Sequence, residues 1–384
     1  MKFAVFNTAT GTATVSGMVE EIGNAAKFKA KYAETKTQKS IDAPNHQHAL
    51  VEIQNFLKEI GEDQDISAIG HRVVHGCEEF ANSVLITPAV LKAVEECSAL
   101  APLHNPPNLQ GIAAARKNFP TLPQVAVFDT AFHQTIPKHA FLYALPYQLY
   151  TDQKVRKYGF HGSSHRFVAR ETAKILGKDS KELCLIIAHL GNGCSATAVK
   201  FGESADTTMG LTPLEGIAMG TRSGSIDPGI LFYLNKTLNY DFDRLNKLLN
   251  KESGLLGLSG ISSDMRTVLE IAGYAPPSSV QTEDCNADSE LQERAKIAVE
   301  VFCYRLAKEI SSLAAALPKI DALVFTGGIG ENSKFVREKA LSHLGIFGFT
   351  KEGEFQNGKP QVLVVPTNEE LLIAQDTEKV VNNL

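Results

Sequence analysis

The feature that most constrains the fold of this 384-residue chain is a strand–turn–strand grammar that occurs twice. Residues 3–19 read as an apolar strand, a polar Thr/Gly turn and a second alternating strand. Residues 183–202 repeat that order around Gly191-Asn192-Gly193. Each is a β-hairpin signature whose turn is rich in backbone N–H groups and small side chains. Apolar runs of strand length also occur at 68–74, 125–128, 323–326 and 362–365. They alternate with helical patterns at 45–59, 88–99, 109–118, 164–176, 291–316 and 369–382. The alternation predicts an α/β protein. The repeated hairpin predicts a duplicated fold with a cleft between its halves, and the length is too great for one ordinary core. Residues 20–45 are weakly patterned and read as strands and loop at a surface, and 276–289 as a solvated loop.

Composition removes several classes. With 43% hydrophobic and 21% charged residues the chain is globular rather than disordered or fibrous. A net charge of −5 argues against a nucleic-acid binder, although a few cleft arginines can still receive an anionic substrate. No run approaches the ~18 apolar residues of a membrane span, and the opening MKFAVFNTAT reads as a strand rather than an export signal. The cysteines at 77, 97, 184, 194, 285 and 303 show no CxxC or metal-ligand spacing. They are expected to be reduced thiols, with Cys184 in the core. A cytoplasmic protein is the expectation.

The chemistry-bearing residues gather at strand ends and stiff turns. There is no GxxxxGK[ST] and no GxGxxG after a first strand, so a bound nucleotide would not sit on a P-loop. Thr8, Thr10 and Thr12 in the first turn, and the HLGNG turn at 189–193, suit backbone nests that grip phosphate. They are equally readable as plain hairpin turns. FTGGIGENS at 325–333 is a strand followed by a glycine turn and a helix expected to start near Asn332, an arrangement that lets a flat or anionic ligand approach backbone. Arg72 ends an apolar strand in HRVVHG, His104 lies in APLHNPPN, and Asp129 ends a strand in VFDTAFH. His161 lies in YGFHGSSH, and Arg222 in MGTRSGSIDPG, a glycine loop expected to be flexible. Singly, each has a structural reading as cap, satisfied histidine or surface arginine. Together they supply the cations, acid and neutral donor that phosphoryl transfer needs.

At these residues the chain resembles the acetate kinase family of the acetate and sugar kinase/Hsp70/actin superfamily. HRVVHG, APLHNPPN, VFDTAFH, YGFHGSSH, HLGNG, GTRSGSIDPG, SSDMR, FTGGIGEN and PTNEEL occur in the family's order over nearly the whole length. The resemblance implies two domains of duplicated βββαβαβα core, actin-like or ribonuclease H-like. One is expected at 1–131 with 367–384, carrying the carboxylate and Mg²⁺ residues; the other, binding nucleotide, at 132–366. It implies reversible Mg²⁺-dependent transfer from ATP to acetate, giving ADP and acetyl phosphate, with Mn²⁺ able to replace Mg²⁺, in a homodimer.

By resemblance, Arg72 grips the substrate carboxylate, Arg222 stabilises the transition state and His161 donates to the phosphoryl group. Asp129 is the essential acid, as base and orienting group or through the metal. Asn7 and Glu369 hold Mg²⁺, and His104 lines the cleft. The nucleotide segments are His189, Leu190, Gly191, Asn192 and Gly193; Asp264, Met265 and Arg266; and Gly328, Ile329, Gly330, Glu331 and Asn332. Val74, Leu103, Phe160 and Pro213 form the acyl pocket, where valine rather than alanine at 74 favours acetate over propionate. Longer-acid kinases, a pyrophosphate-dependent enzyme and a non-catalytic actin/Hsp70-like switch are the competing readings. One departure stands out: the family's lysine near the nucleotide phosphates is Thr14 here, so weakened ATP affinity is expected.

Overall fold

In a computed structural model that describes residues 1–102, 104–276 and 289–384, both hairpins form where the pattern puts them. The chain separates into two units. One comprises Met1–Phe132 with Asn368–Leu384, the other His133–Thr367.

In the first unit, β1 (Lys2–Asn7), β2 (Thr12–Glu20), β3 (Lys27–Tyr32) and β4 (Thr35–Ser40) make an antiparallel sheet in sequence order. Residues 20–45 are less superficial than their weak pattern suggests. The inner face of β3 places Phe28 and Ala30 in the core beside Val15 and Val19, under helix α1 (His46–Glu59). Phe28 packs against Phe56 of α1 with ring centroids 5.2 Å apart. A short alternation interrupted by lysines hid this face: Lys27, Lys29 and Lys31 point outward and dominate the composition. Asn45 caps α1 by accepting from the His48 amide.

The second sheet of this unit has order β5-β7-β6, from β5 (Ile69–Val73), β6 (Val84–Leu85) and β7 (Gln124–Phe128). β5 and β7 are parallel, and β6 is antiparallel to β7. Helices α2 (Pro88–Glu96) and α3 (Asn105–Asn118) belong to the same unit. Phe80 stacks on Phe128 at 4.4 Å within a core of Val73, Ile86, Val94, Ile112 and Ala126. The C-terminal helix Glu369–Val381 lies against β5. Its seat is Gly70, where a Cβ would fall 2.3 Å from Thr377 Oγ1.

The second unit is built on a five-stranded sheet, order β10-β9-β8-β11-β12. Its strands are β8 (Cys184–Leu190), β9 (Cys194–Lys200), β10 (Glu203–Thr207), β11 (Ala322–Thr326) and β12 (Gln361–Val364). The hairpin and its extension are antiparallel, while β11 runs parallel to both β8 and β12. Every residue of β8 and β11 is buried, as expected of central strands covered on both faces. Helices before the hairpin are α4 (Lys138–Phe141), α5 (Tyr147–Gln153) and α6 (Gly162–Leu176). After it come α7 (Gly229–Leu238), α8 (Phe242–Lys251), α9 (Gly254–Ser259), α10 (Met265–Ile271), α11 (Ser289–Leu313), α12 (Gly327–Asn332) and α13 (Lys334–Ser342).

Two expectations change. The helix expected near Asn332 is α13, which starts at Lys334 with Ser333 as its cap, but the glycine turn before it is itself a short helix, α12, because Glu331 folds back to accept from the Gly327 amide at 2.9 Å and caps its own helix. Cys77 and Cys97 are joined as a disulfide, so not all thiols are reduced; Cys184, Cys194 and Cys303 are free and buried, while Cys285 lies outside the described residues. The pairing was invisible to spacing because it joins a loop after β5 to the end of α2, 20 residues apart. Most of the loop expected at 276–289 also lies outside the described residues. Among the described residues no helix is long and apolar enough to cross a membrane.

Candidate active site

The first unit gathers its charged residues at the carboxyl ends of β5 and β7, where open parallel sheets bind ligands. Asp129 directly follows β7, and its amide donates to Val73 O at 3.0 Å, continuing the ladder with β5. Its carboxylate is 1% exposed and accepts from Arg72: Nε contacts both oxygens at 3.0 Å and Nη2 contacts Oδ2 at 2.6 Å. Glu369, the first residue of the C-terminal helix, lies 3.8 Å from Arg72 Nε. One guanidinium thus stands between two carboxylates. Asp129 raises the Arg72 pKa further above its ordinary value. The Glu369 carboxyl is pushed up to about 7, first by burial and then by Asp129 and Glu370, against the pull of Arg72. Asp129 occupies the Nε–Nη2 edge of Arg72, and the Nη1 side of this half-exposed fork makes no hydrogen bond among the described residues.

The loop after β5 is clasped by α3. Val74 N donates to Asn108 Oδ1 at 3.1 Å, His75 N donates to Asn105 Oδ1 at 3.1 Å, and Asn105 Nδ2 returns bonds to His75 O and Val94 O. His104 is the N-cap residue of α3, immediately before these asparagines. Leu103 lies outside the described residues. Asn7 closes the first hairpin, its Oδ1 accepting from Thr10 N at 3.3 Å, and no hydrogen bond joins it to Glu369 among the described residues. Thr14 is engaged: its hydroxyl donates to Glu62 Oε2 at 3.1 Å.

The second unit arranges its donors around the second hairpin turn. His161 sits at the N-terminus of α6 in the left-handed region, φ +57°, a conformation that costs a non-glycine residue roughly 1–3 kcal/mol and clusters at functional sites. Gly159 makes it reachable: a Cβ there would fall 2.7 Å from the His133 ring. His161 Nδ1 and Ser195 Oγ are 2.9 Å apart, and its ring lies 4.4 Å from that of His189. Arg222 Nη1 donates to Pro213 O at 3.0 Å, and the Arg222 carbonyl accepts from Met219 N at 3.1 Å. Its glycine loop is therefore tied down rather than loose, and burial lowers the guanidinium pKa. A Cβ on Gly193 would lie 3.5 Å from His161 Nε2 and 3.6 Å from Arg222 Nη1. The glycine leaves open a small space bordered by both. Phe160 is buried, its carbonyl accepting from His133 Nε2 at 3.0 Å.

Beside that turn lies a cavity of about 680 Å³, within the range of small-molecule sites. Of the residues expected to bind nucleotide, Gly191, Asn192, Asp264, Met265, Arg266, Gly328, Ile329 and Asn332 line it. His189, Leu190, Gly193, Gly330 and Glu331 are not in its lining. Leu190 and Gly330 are buried structural positions, and Glu331 is held by Gly327, Thr326 and Thr367. Asp264 lines the cavity while also capping α10. Sequence reasoning missed Tyr274 and Phe335, which line the cavity and stack at 4.5 Å, and Lys334 beside them. Lys334 and Phe335 directly follow the GENS turn, which was the available signal; Tyr274 had none.

The second unit's sheet order, with helix-bearing crossovers into β11 and β12, defines an α/β protein of the actin-like ATPase fold. The Acetokinase family profile matches residues 1–375. An acetate kinase of Shewanella frigidimarina is 47% identical, with 99% of this chain and 96% of the relative covered. The crystal structure of Porphyromonas gingivalis acetate kinase superposes with a TM-score of 0.89 at 40% identity, covering 99% of this chain and 96% of that one. A propionate kinase from Francisella tularensis gives 0.90 at 43% identity, with the same coverage. The chain belongs to the acetokinase family.

Proposed function

We propose that this chain is an acetate kinase, transferring the γ-phosphoryl group of ATP reversibly and in line to acetate, with Mg²⁺. The observation that carries the reading is the second hairpin turn. Gly191 and Asn192 line a nucleotide-sized cavity, and at Gly193, one residue on, His161 Nε2 and Arg222 Nη1 border one space. The cavity holds the nucleotide, with the Tyr274–Phe335 pair offering flat surface to adenine. That surface favours ATP over pyrophosphate, which has no base. The two donors then meet the terminal phosphoryl group, whose equatorial oxygens carry the charge.

Arg72 supplies the carboxylate end. Acetate is already ionised at neutral pH, so its attack on phosphorus needs no general base. Asp129 then serves by fixing Arg72 and by contributing negative charge toward a cation. The donor chemistry fits a hard divalent ion: Asp129 and Glu369 give two carboxylates around one guanidinium, and Asn7 adds an amide oxygen. Mg²⁺ would neutralise phosphate charge when bound, and Mn²⁺ would substitute through the same oxygens. His104 serves in lining the site, and Val74, Leu103, Phe160 and Pro213 serve the acyl group. The propionate kinase relative keeps the longer acid as a second reading. One methylene is worth only ~1–3 kcal/mol, so propionate is expected as a slower substrate.

A homodimer is part of the reading. Helix α7 is apolar yet has no buried residue; Phe232 is 75% and Tyr233 65% exposed, and Phe242 at the start of α8 is 92% exposed. A second copy of the chain is the occupant proposed for this face.

The deciding assay traps acetyl phosphate as its hydroxamate from ATP, acetate and Mg²⁺. Product from acetate at higher kcat/KM than from propionate is expected. ATP turnover without hydroxamate would leave only the nucleotide-switch reading, and a preference for propionate would reassign the acid.

A further inference from the structure

Two histidines and a serine, all polar groups in the second unit, lie in one hydrogen-bonded line behind the phosphoryl-facing edge of His161. His165 follows His161 by four residues, so both rings leave the same side of the first turn of α6. Ser195, the second residue of β9, lies between them. Its Oγ is 2.9 Å from His161 Nδ1 and 2.8 Å from His165 Nε2. Ser195 and His165 have no solvent exposure.

Proton counting leaves one arrangement. His165 is neutral: burial drives its pKa well below the ordinary value, and His133 and His189 push the same way. A neutral imidazole has one N–H, and His165 Nδ1 meets no hydrogen-bond partner among the described residues. A proton on Nδ1 would be a buried orphan donor, costlier than an unused lone pair. The proton therefore sits on Nε2 and is donated to Ser195 Oγ. Ser195 has one proton, and among the described residues its hydroxyl's other hydrogen-bond partner is His161 Nδ1, which then accepts it. His161 is left with its own proton on Nε2, the nitrogen that borders the space beside Gly193 and Arg222.

We propose that Ser195, oriented by His165, is a positioning residue that fixes His161 as the Nε2–H tautomer, so that its outward edge is a hydrogen-bond donor and not a lone pair. A lone pair turned toward phosphoryl oxygens would repel them. The inference rests on the reading of His161 as the phosphoryl donor and names the device that prepares it. The contact partners are fixed by the fold, since Ser195 is the register partner of His189 in the β8–β9 ladder and so cannot slide along the strand.

The test uses the full-length enzyme labelled with ¹⁵N-histidine, with long-range ¹H–¹⁵N correlation spectra and the His161 signals assigned by their loss in His161→Asn. The wild-type protein is expected to show His161 protonated at Nε2. Ser195→Ala is expected to populate the Nδ1–H form and to lower kcat about tenfold, the ratio one ordinary hydrogen bond sustains, with the KM for ATP little changed. His165→Leu should do the same, whereas His165→Gln, which keeps an N–H donor toward Ser195, should retain the wild-type tautomer. An unchanged Nε2–H signal in both Ser195→Ala and His165→Leu would overturn the relay. Full turnover by His161→Asn, with the tautomer shift still seen in Ser195→Ala, would instead remove the role of His161 and leave the relay standing.

Discussion

Arg222 borders the space beside Gly193 with no salt bridge to an acidic side chain among the described residues, and burial already disfavours its charge. Such a donor gives most when negative charge gathers before it. Arg222→Ala is expected to lower kcat by ~10²–10³ while nucleotide binding persists, measurable as near-normal ATP affinity in a variant with almost no hydroxamate formation. Glu369 behaves in the opposite sense. Its carboxyl is raised to about 7 in the folded chain, against roughly 4.3 unfolded. The folded state therefore holds a proton that the unfolded state has lost, and stability falls as pH rises across that window. A divalent ion on Glu369 must displace that proton. The gain in Tm given by Mg²⁺ is thus expected to be small at pH 5.5 and larger at pH 8, and Glu369→Gln should flatten the difference. Thr14 bears on the nucleotide. Thr14→Lys is expected to lower the KM for ATP; an unchanged KM, with the new ammonium held by Glu62, would end the idea that this cation is missed. Arg72, Asp129 and Arg222 were legible because each stands at a strand end or glycine turn in a long motif. Ser195 and His165 were not, since their meaning lies in the pairing of β9 with α6, which no spacing along the chain reveals.

At the scale of elements, hairpins and buried strands were readable because apolar runs bounded by turn residues have few alternative uses. β11 and β12 begin within one residue of their expected positions. α12 was read as a turn because its cap comes from Glu331, a residue inside the helix, and not from the residue before it. β3 was underrated because outward lysines masked a core face. The clasp of α3 on the loop after β5 is another case: Asn105 was quoted within APLHNPPN, yet only tertiary structure shows its three bonds. Asn105 is fully buried, and Asn105→Ala removes its bonds to the His75 amide and carbonyl, at about 1 kcal/mol each or more. The expected result is a lower denaturation midpoint together with a raised KM for acetate, because Val74 and His75 lie two and three residues after Arg72. A normal KM in a destabilised variant would confine the clasp to structure.

At the scale of the molecule, the exposed aromatic side chains of α7 predict association. Phe232→Asp is expected to convert a dimer to a monomer in sedimentation velocity, with the fold retained by circular dichroism; a wild-type sedimentation coefficient would place the contact elsewhere. The division of the chain has a different consequence. The first unit is not continuous: its last helix, carrying Glu369, is the final segment of the sequence, seated on β5 at Gly70. During synthesis, β5 and β7 leave the ribosome without the helix that covers them, while the second unit is complete in sequence before that helix exists. At ~5–20 residues per second the wait lasts from roughly ten seconds to most of a minute. The order of completion is thus the reverse of the order of translation: the half made first closes last, with an apolar sheet face open for chaperones in the interval. Ribosomes stalled short of the C-terminal helix should carry a protease-resistant second unit and a protease-sensitive first one.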